Sequence, residues 1–258
     1  MNPLHILGVG FWTPGYSSPG AWLEQASDPS ATRPPCEMLS PRIGRYTSQV
    51  TRMAVEALAQ AARQGAVDLS KVPTVFGSAN GEIQIAFEQL DMIEQDGVPS
   101  PARFKNSVHN TASGHVSIAA GNMAFSTALA AGGATFAMCL LEAWAWLHVH
   151  PGAMIVSVAD ESLPEHLSSF GRYDSMGIAF CLSSAAPGAK SLGCISDLDR
   201  CQESLPEHAI PERLAGNPMA AGIALMEAVL HGWSGMIPVQ VGGEGWSVAF
   251  CAGSGSPS

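Results

Sequence analysis

The sequence predicts an α/β layered fold with a substantial parallel component. One observation predicts it: short apolar runs of strand character alternate along the chain with segments of helical periodicity. A second bounds it. Of the 258 residues, 47% are apolar, enough for a large core and too many for a disordered chain.

Each element follows from its local pattern. Residues 4–11 read as a short buried strand. Pro14, Pro19, Pro29, Pro34, Pro35 and Pro41 then punctuate an irregular stretch. Residues 45–63 read as a helix, because Val50, Met53, Ala54, Ala57, Leu58 and Ala61 form one apolar stripe at spacings of three and four. Residues 72–78 read as a strand and 81–95 as a second helix, with Ile85, Leu90 and Ile93 among its apolar positions. Pro99 and Pro101 break the chain before a short helix at 111–121 and a strand at 125–130. Gly132-Gly133 is a tight turn into a helix that runs to Val149. Apart from Glu142 that helix is apolar nearly all round, which predicts a central, buried position.

Residues 153–159 are a clear buried strand that ends at Asp160-Glu161. Two further strands are expected at 177–183 and 192–198, then a polar connection over 199–217. A helix at 219–230, a closing strand pair at 237–241 and 246–251, and a flexible tail at 253–258 complete the chain.

Only 13% of the residues are Asp, Glu, Lys or Arg, about half the usual share of about 25%. Twelve basic against 22 acidic residues leave a net charge of −10. That excludes the basic footprint of a nucleic-acid binder and does not suit an anionic membrane surface. Residues 106–141 carry no charged side chain. Even so, Gly114, Gly121, Gly132 and Gly133 divide that stretch into pieces too short to span a bilayer. The first ten residues show no basic region ahead of a long apolar run, so no secretory signal is expected. The six cysteines (Cys36, Cys139, Cys181, Cys194, Cys201 and Cys251) have no C-x-x-C spacing and read as cytoplasmic thiols.

Chemical motifs are sparse. Gly8-Val9-Gly10 follows a strand, but Thr13 stands where a dinucleotide loop needs its third glycine. There is no phosphate-binding G-x-x-x-x-G-K-[ST] and no G-x-S-x-G nucleophile elbow. Ser113 has no assignable triad partners. His148 and His150 would need a further ligand for zinc; His166 and Asp160 are candidates, but no spacing recommends them. Cys139 lies two turns inside an apolar helix, away from anything that lowers a thiol pKa. No cofactor or metal is expected.

One block carries a resemblance. Ser100-Pro101, then Asn106-Ser107-Val108-His109-Asn110-Thr111-Ala112-Ser113-Gly114-His115, then Gly121, resembles the N-terminal half of the β-ketoacyl synthases. Pro41-Arg42 with Thr51-Arg52-Met53-Ala54, then Phe76-Gly77-Ser78-Ala79-Asn80-Gly81, then the strand ending in an acidic residue at 156–161, agree with it in order. The resemblance covers about residues 1–200 and is closest to the chain length factors found beside ketosynthases in aryl-polyene gene clusters.

It implies a single thiolase-like domain over 1–258, with a ketosynthase N-terminal-half core at 1–200 and a shortened C-terminal portion at 201–252. Counting from Ser100, the nucleophile position of the family falls on Gly133, and the histidine motifs of the second half are absent after residue 200. The resemblance thus implies a non-catalytic subunit that pairs with an intact β-ketoacyl synthase in the cytoplasm. Such a subunit would meet acyl carrier protein through the complex and limit chain length in polyketide or fatty-acid-like synthesis. It further implies an acyl-tunnel gate at Ile83, Ala86, Phe87 and Leu90. Phe104, Asn106, Val108, His109, Asn110 and Thr111 would face the partner. Two other readings stay open: a stand-alone acyltransferase or hydrolase using Cys139, Ser113 or a histidine, and a scaffold with no tunnel role.

Overall fold

The computed structural model describes residues 2–185, 191–201, 210–242 and 245–253. Within them one sheet contains β1 (Leu4–Trp12), β2 (Thr74–Gly77), β3 (Ser126–Leu129), β4 (Ala153–Asp160), β5 (Met176–Ser183), β6 (Gly193–Cys201), β7 (Gly235–Pro238) and β8 (Gly245–Ala252). Their spatial order is β3-β2-β4-β5-β1-β6-β8-β7. The helices are α1 (Pro19–Leu23), α2 (Pro41–Gly44), α3 (Gln49–Gly65), α4 (Ile83–Asp96), α5 (Pro101–Phe104), α6 (Thr111–Ala120), α7 (Thr135–Val149), α8 (Glu212–Ala215) and α9 (Ala221–His231).

The parallel component is smaller than the sequence suggests. Only β2 with β3 and β2 with β4 pair in parallel; β1, β5, β6, β7 and β8 pair antiparallel. Parallel pairing needs a crossover element. Helices α4 to α6 supply one between β2 and β3, and α7 supplies the other between β3 and β4.

Helix α3 covers one face of the sheet, against β1, β4 and β5. It begins at Gln49, four residues later than the expected range of 45–63, because the Ser48 hydroxyl accepts from the Thr51 amide and fixes the start there. Residues 41–44 form a separate turn. Gly8 and Gly10 owe their identity to this packing: a Cβ on Gly10 would collide with the Ala57 carbonyl and one on Gly8 with the Ala61 carbonyl. The glycine pair of β1 is a helix seat.

The opposite face carries α7 and α9, whose Phe136, Leu140, Ala143, Ile223 and Met226 join Ile6, Phe11, Val156 and Phe180 in the larger core. Helix α7 is buried on one side only. Phe136, Cys139, Leu140, Ala143 and Leu147 face the core, while Leu141 is 37% and Val149 68% exposed. Apolar composition all round therefore does not mean cover all round within this chain.

The connection expected over 199–217 is partly structured. Strand β6 continues to Cys201, and residues 212–215 form α8. Residues 202–209 and the tail at 254–258 lie outside the described residues. The closing pair, β7 with β8, is antiparallel and joins the sheet through β6.

Candidate functional site

The C-terminal ends of β2 and β4, adjacent and parallel, converge on the start of α4. Asp160, the last residue of β4, is fully buried and organises the turn after β2. Its carboxylate accepts from the Ser78 hydroxyl at 2.8 Å and from the Ala79 and Asn80 amides at 2.7 and 2.9 Å. The Ser78 oxygen in turn accepts from the Gly81 amide at 2.8 Å. Gly81 takes φ +60°, a left-handed conformation that glycine adopts without strain. His109 reaches in from the loop before α6, its Nε2–H donating to the Ser78 carbonyl at 2.8 Å.

Two more carboxyl groups are buried beside it. Glu82, which precedes α4, accepts from the Thr51 hydroxyl at 2.5 Å, and its other oxygen has no partner among the described residues. Glu161 accepts from the Gln84 amide at 3.3 Å. Burial raises all three, Asp160 to about 6 and Glu161 to about 7; the hydrogen bonds to Asp160 only partly offset its loss of water. Arg52, also buried, donates to the carbonyls of Pro34, Pro35 and Gly44 and so pins the proline-rich stretch to α3.

The sequence offers Asp160-Glu161 as an acidic pair at a strand end and Thr51 and Ser78 only as parts of family-like blocks, gives none of them a role at this site, and misses Glu82. The signal that was present is the acidic pair at the end of an apolar strand.

The four gate positions follow at once on α4. Ile83, Ala86, Phe87 and Leu90 form one stripe; the first three are half-buried and Leu90 is 57% exposed. The Phe87 ring stacks on His166, centroids 6.5 Å apart. Gln89 is the one buried residue of this helix, so most of α4 is only loosely covered by the chain itself.

The six interface positions divide. Phe104, Val108, His109 and Asn110 are exposed, although His109 is tied to Ser78. Asn106 and Thr111 point inward: Asn106 donates to the Tyr46 carbonyl at 3.1 Å and Thr111 to the Val108 carbonyl at 2.6 Å.

Gly133 sits in the 3-10 turn Gly132–Ala134 that leads into α7. Its carbonyl accepts from the Val241 amide at 3.3 Å, and a Cβ on Gly133 would lie 2.7 Å from the Val241 carbonyl oxygen. The C-terminal portion therefore occupies the space that a side chain at 133 would need.

Of the other candidate nucleophiles, Cys139 is shut in and Ser113 is engaged. Burial pushes the Cys139 thiol up. The Ser113 hydroxyl donates to the Asn110 carbonyl at 2.9 Å. His148 and His150 lie exposed at the end of α7. Among the described residues no cluster of three or more His, Cys, Asp or Glu could hold a metal ion, and no helix is long and apolar enough to cross a membrane.

Comparison with known proteins places this architecture. The family model for the β-ketoacyl synthase N-terminal domain matches residues 20–236. No curated protein matches the chain. A chain from the complex of the ketosynthase ApeO with its chain length factor ApeC, from Xenorhabdus doucetiae, superposes with a TM-score of 0.72 at 20% identity, over 96% of this chain and 98% of that one. The ishigamide ketosynthase/chain length factor gives 0.62 at 16% identity, over 89% of this chain and 73% of that one. A β-ketoacyl synthase from Burkholderia phymatum STM815 gives 0.64 at 12% identity, over 88% and 70%. The sheet with helices on both faces is thus the thiolase-like fold of the ketosynthases, shortened relative to that synthase. The chain belongs to the β-ketoacyl synthase family, whose N-terminal domain it carries.

Proposed function

We propose that the chain is a chain length factor: a non-catalytic partner that pairs with an intact β-ketoacyl synthase and shapes its acyl tunnel in polyketide synthesis of the aryl-polyene type. The observation that carries this reading is the packing at Gly133. The turn that would present a nucleophile holds a glycine, and the main chain at Val241 fills the space beside it. A condensing enzyme needs a thiolate there, at a helix N-terminus that favours the charged form. Support also comes from the superposition, over 96% of this chain, on a chain from a complex of a ketosynthase with its chain length factor.

The partner would cover the outward side chains of Phe104, Val108, His109 and Asn110 and the loosely covered stripe of α4. Ile83, Ala86, Phe87 and Leu90 would then line the far end of the tunnel, where bulk limits the growing chain. Acyl carrier protein would be met through the complex, in the cytoplasm, with no cofactor.

Co-expression with a β-ketoacyl synthase from the same genome tests the proposal. The expected result is a stable one-to-one complex whose condensing activity requires both chains and is abolished by loss of the synthase's own cysteine. Turnover of acyl-carrier thioester by this chain alone, or a covalent acyl adduct on it, would overturn the reading in favour of a stand-alone acyltransferase. A synthase with unchanged activity and product length in the absence of this chain would overturn it in favour of a scaffold.

A further inference from the structure

Strands β6 and β8 run antiparallel, and their register sets Cys194 directly opposite Cys251. Directly opposite residues in such a pair have Cα atoms about 4.5 or 5.5 Å apart, with side chains on the same face. Both spacings lie inside the range of about 4.4–6.8 Å that a disulfide bridges. Both thiols are free, and the Cys251 thiol donates to the adjacent Ala252 carbonyl, at 3.9 Å. The strand neighbours Ile195 and Phe250 are buried in the larger core. Alternation along the strands therefore turns the two cysteines to the other face, where Cys251 is exposed and Cys194 partly so. Cys36, Cys139 and Cys181 are all buried, and burial raises each thiol.

We infer that Cys194 and Cys251 form a redox modification site, closed to a disulfide by peroxide-class oxidants and reopened by dithiol reductants. Cys251, the more accessible, reacts first. Its thiolate attacks one peroxide oxygen, the O–O bond breaks, hydroxide leaves as water after taking a proton, and a sulfenic acid remains. Cys194 gives up its proton and attacks that sulfur. The S–O bond breaks and a second water leaves. The two thiols lose two electrons and two protons, and the peroxide is reduced to two waters. The new bond ties β8 to β6 and closes a loop that contains α8, α9 and β7.

The test is peptide mapping of the full chain by mass spectrometry without reduction, after brief exposure to hydrogen peroxide. The expected product is one intramolecular link between Cys194 and Cys251, the loss of two of the six titratable thiols, and their recovery with dithiothreitol. Cys194→Ser should leave Cys251 as a sulfenic acid that dimedone traps, and Cys251→Ser should abolish the link with the reduced-state melting temperature unchanged. Sulfinic or sulfonic acid on Cys251 with Cys194 still reduced, in the unsubstituted chain, would overturn the inference. So would a link that joins two molecules through Cys251.

Discussion

The carbonyl oxygen of Val241 stands 2.7 Å from where a Cβ on Gly133 would lie. That is closer than two non-bonded atoms of this kind approach, so any side chain at 133 must displace the strand-connecting segment after β7. Gly133→Ala should therefore lower stability by about 1–3 kcal/mol, the usual cost of overpacking a fitted site. Gly133→Cys should be destabilised similarly and gain no condensing activity. Thermal melting together with a thioester condensation assay checks both; a stable, active Gly133→Cys would contradict the reading of this turn.

Asp160 and Glu161 make stability fall as pH rises. Their folded-state values, about 6 and about 7, lie above the ordinary 3.8 and 4.5. The native chain thus binds more protons than the unfolded one between about pH 4 and pH 7. Stability from these groups is fully present below the unfolded values and is lost as pH rises through the folded ones. Asp68, held down to about 2 by Ser70, is already ionised across that window. Urea midpoints from about pH 5 to about pH 7.5 should decline, and Glu161→Gln should flatten the upper part of the decline.

In the proposed complex with a β-ketoacyl synthase, Phe87→Ala should lengthen the product. The ring is half-buried and stacks on His166, so its removal opens space beside α4 at a modest cost in stability, about 1–2 kcal/mol. Product chain length, measured by mass spectrometry, is the readout. Unchanged length in an intact complex would remove Phe87 from the gate.

Phe104→Glu should weaken association with the proposed synthase partner about tenfold or more, roughly 1.4 kcal/mol. The melting temperature of the isolated chain should not move, because the ring is 58% exposed. Asn106→Ala should do the reverse: its amide holds the Tyr46 carbonyl inside this chain, so stability suffers before binding does. Calorimetric titration and melting curves separate the two.

Much of the architecture is legible in the sequence where a pattern is local. The buried runs at β1, β4 and β5 and the stripe of α3 need no partner to be recognised. The direction of strand pairing is not local: a substantial parallel component was expected, and among the described residues five of the seven pairings are antiparallel. The start of α3 is set by one hydroxyl, Ser48, four residues after the start expected from the sequence. At the site, Asp160 could be seen as an acid at a strand end. Its three donors could not, because they come from a turn about 80 residues earlier. The pairing of Cys194 with Cys251 was equally invisible, since register alone brings them together.

The sheet has two borders that differ in chemistry. At one, β7 ends in Pro238, which has no amide hydrogen to offer a passing strand. At the other, β3 reads Ser-Thr-Ala-Leu, with no proline, no charge and no bulge, and its outer main chain is unpaired within the described residues. Ile118 and Met123, 72% and 95% exposed, precede it in the chain. Strand addition is therefore directional in this molecule: one margin resists it and the other is an open template. A preparation held at high concentration should join through β3, and a single Lys at Thr127 should keep it dispersed.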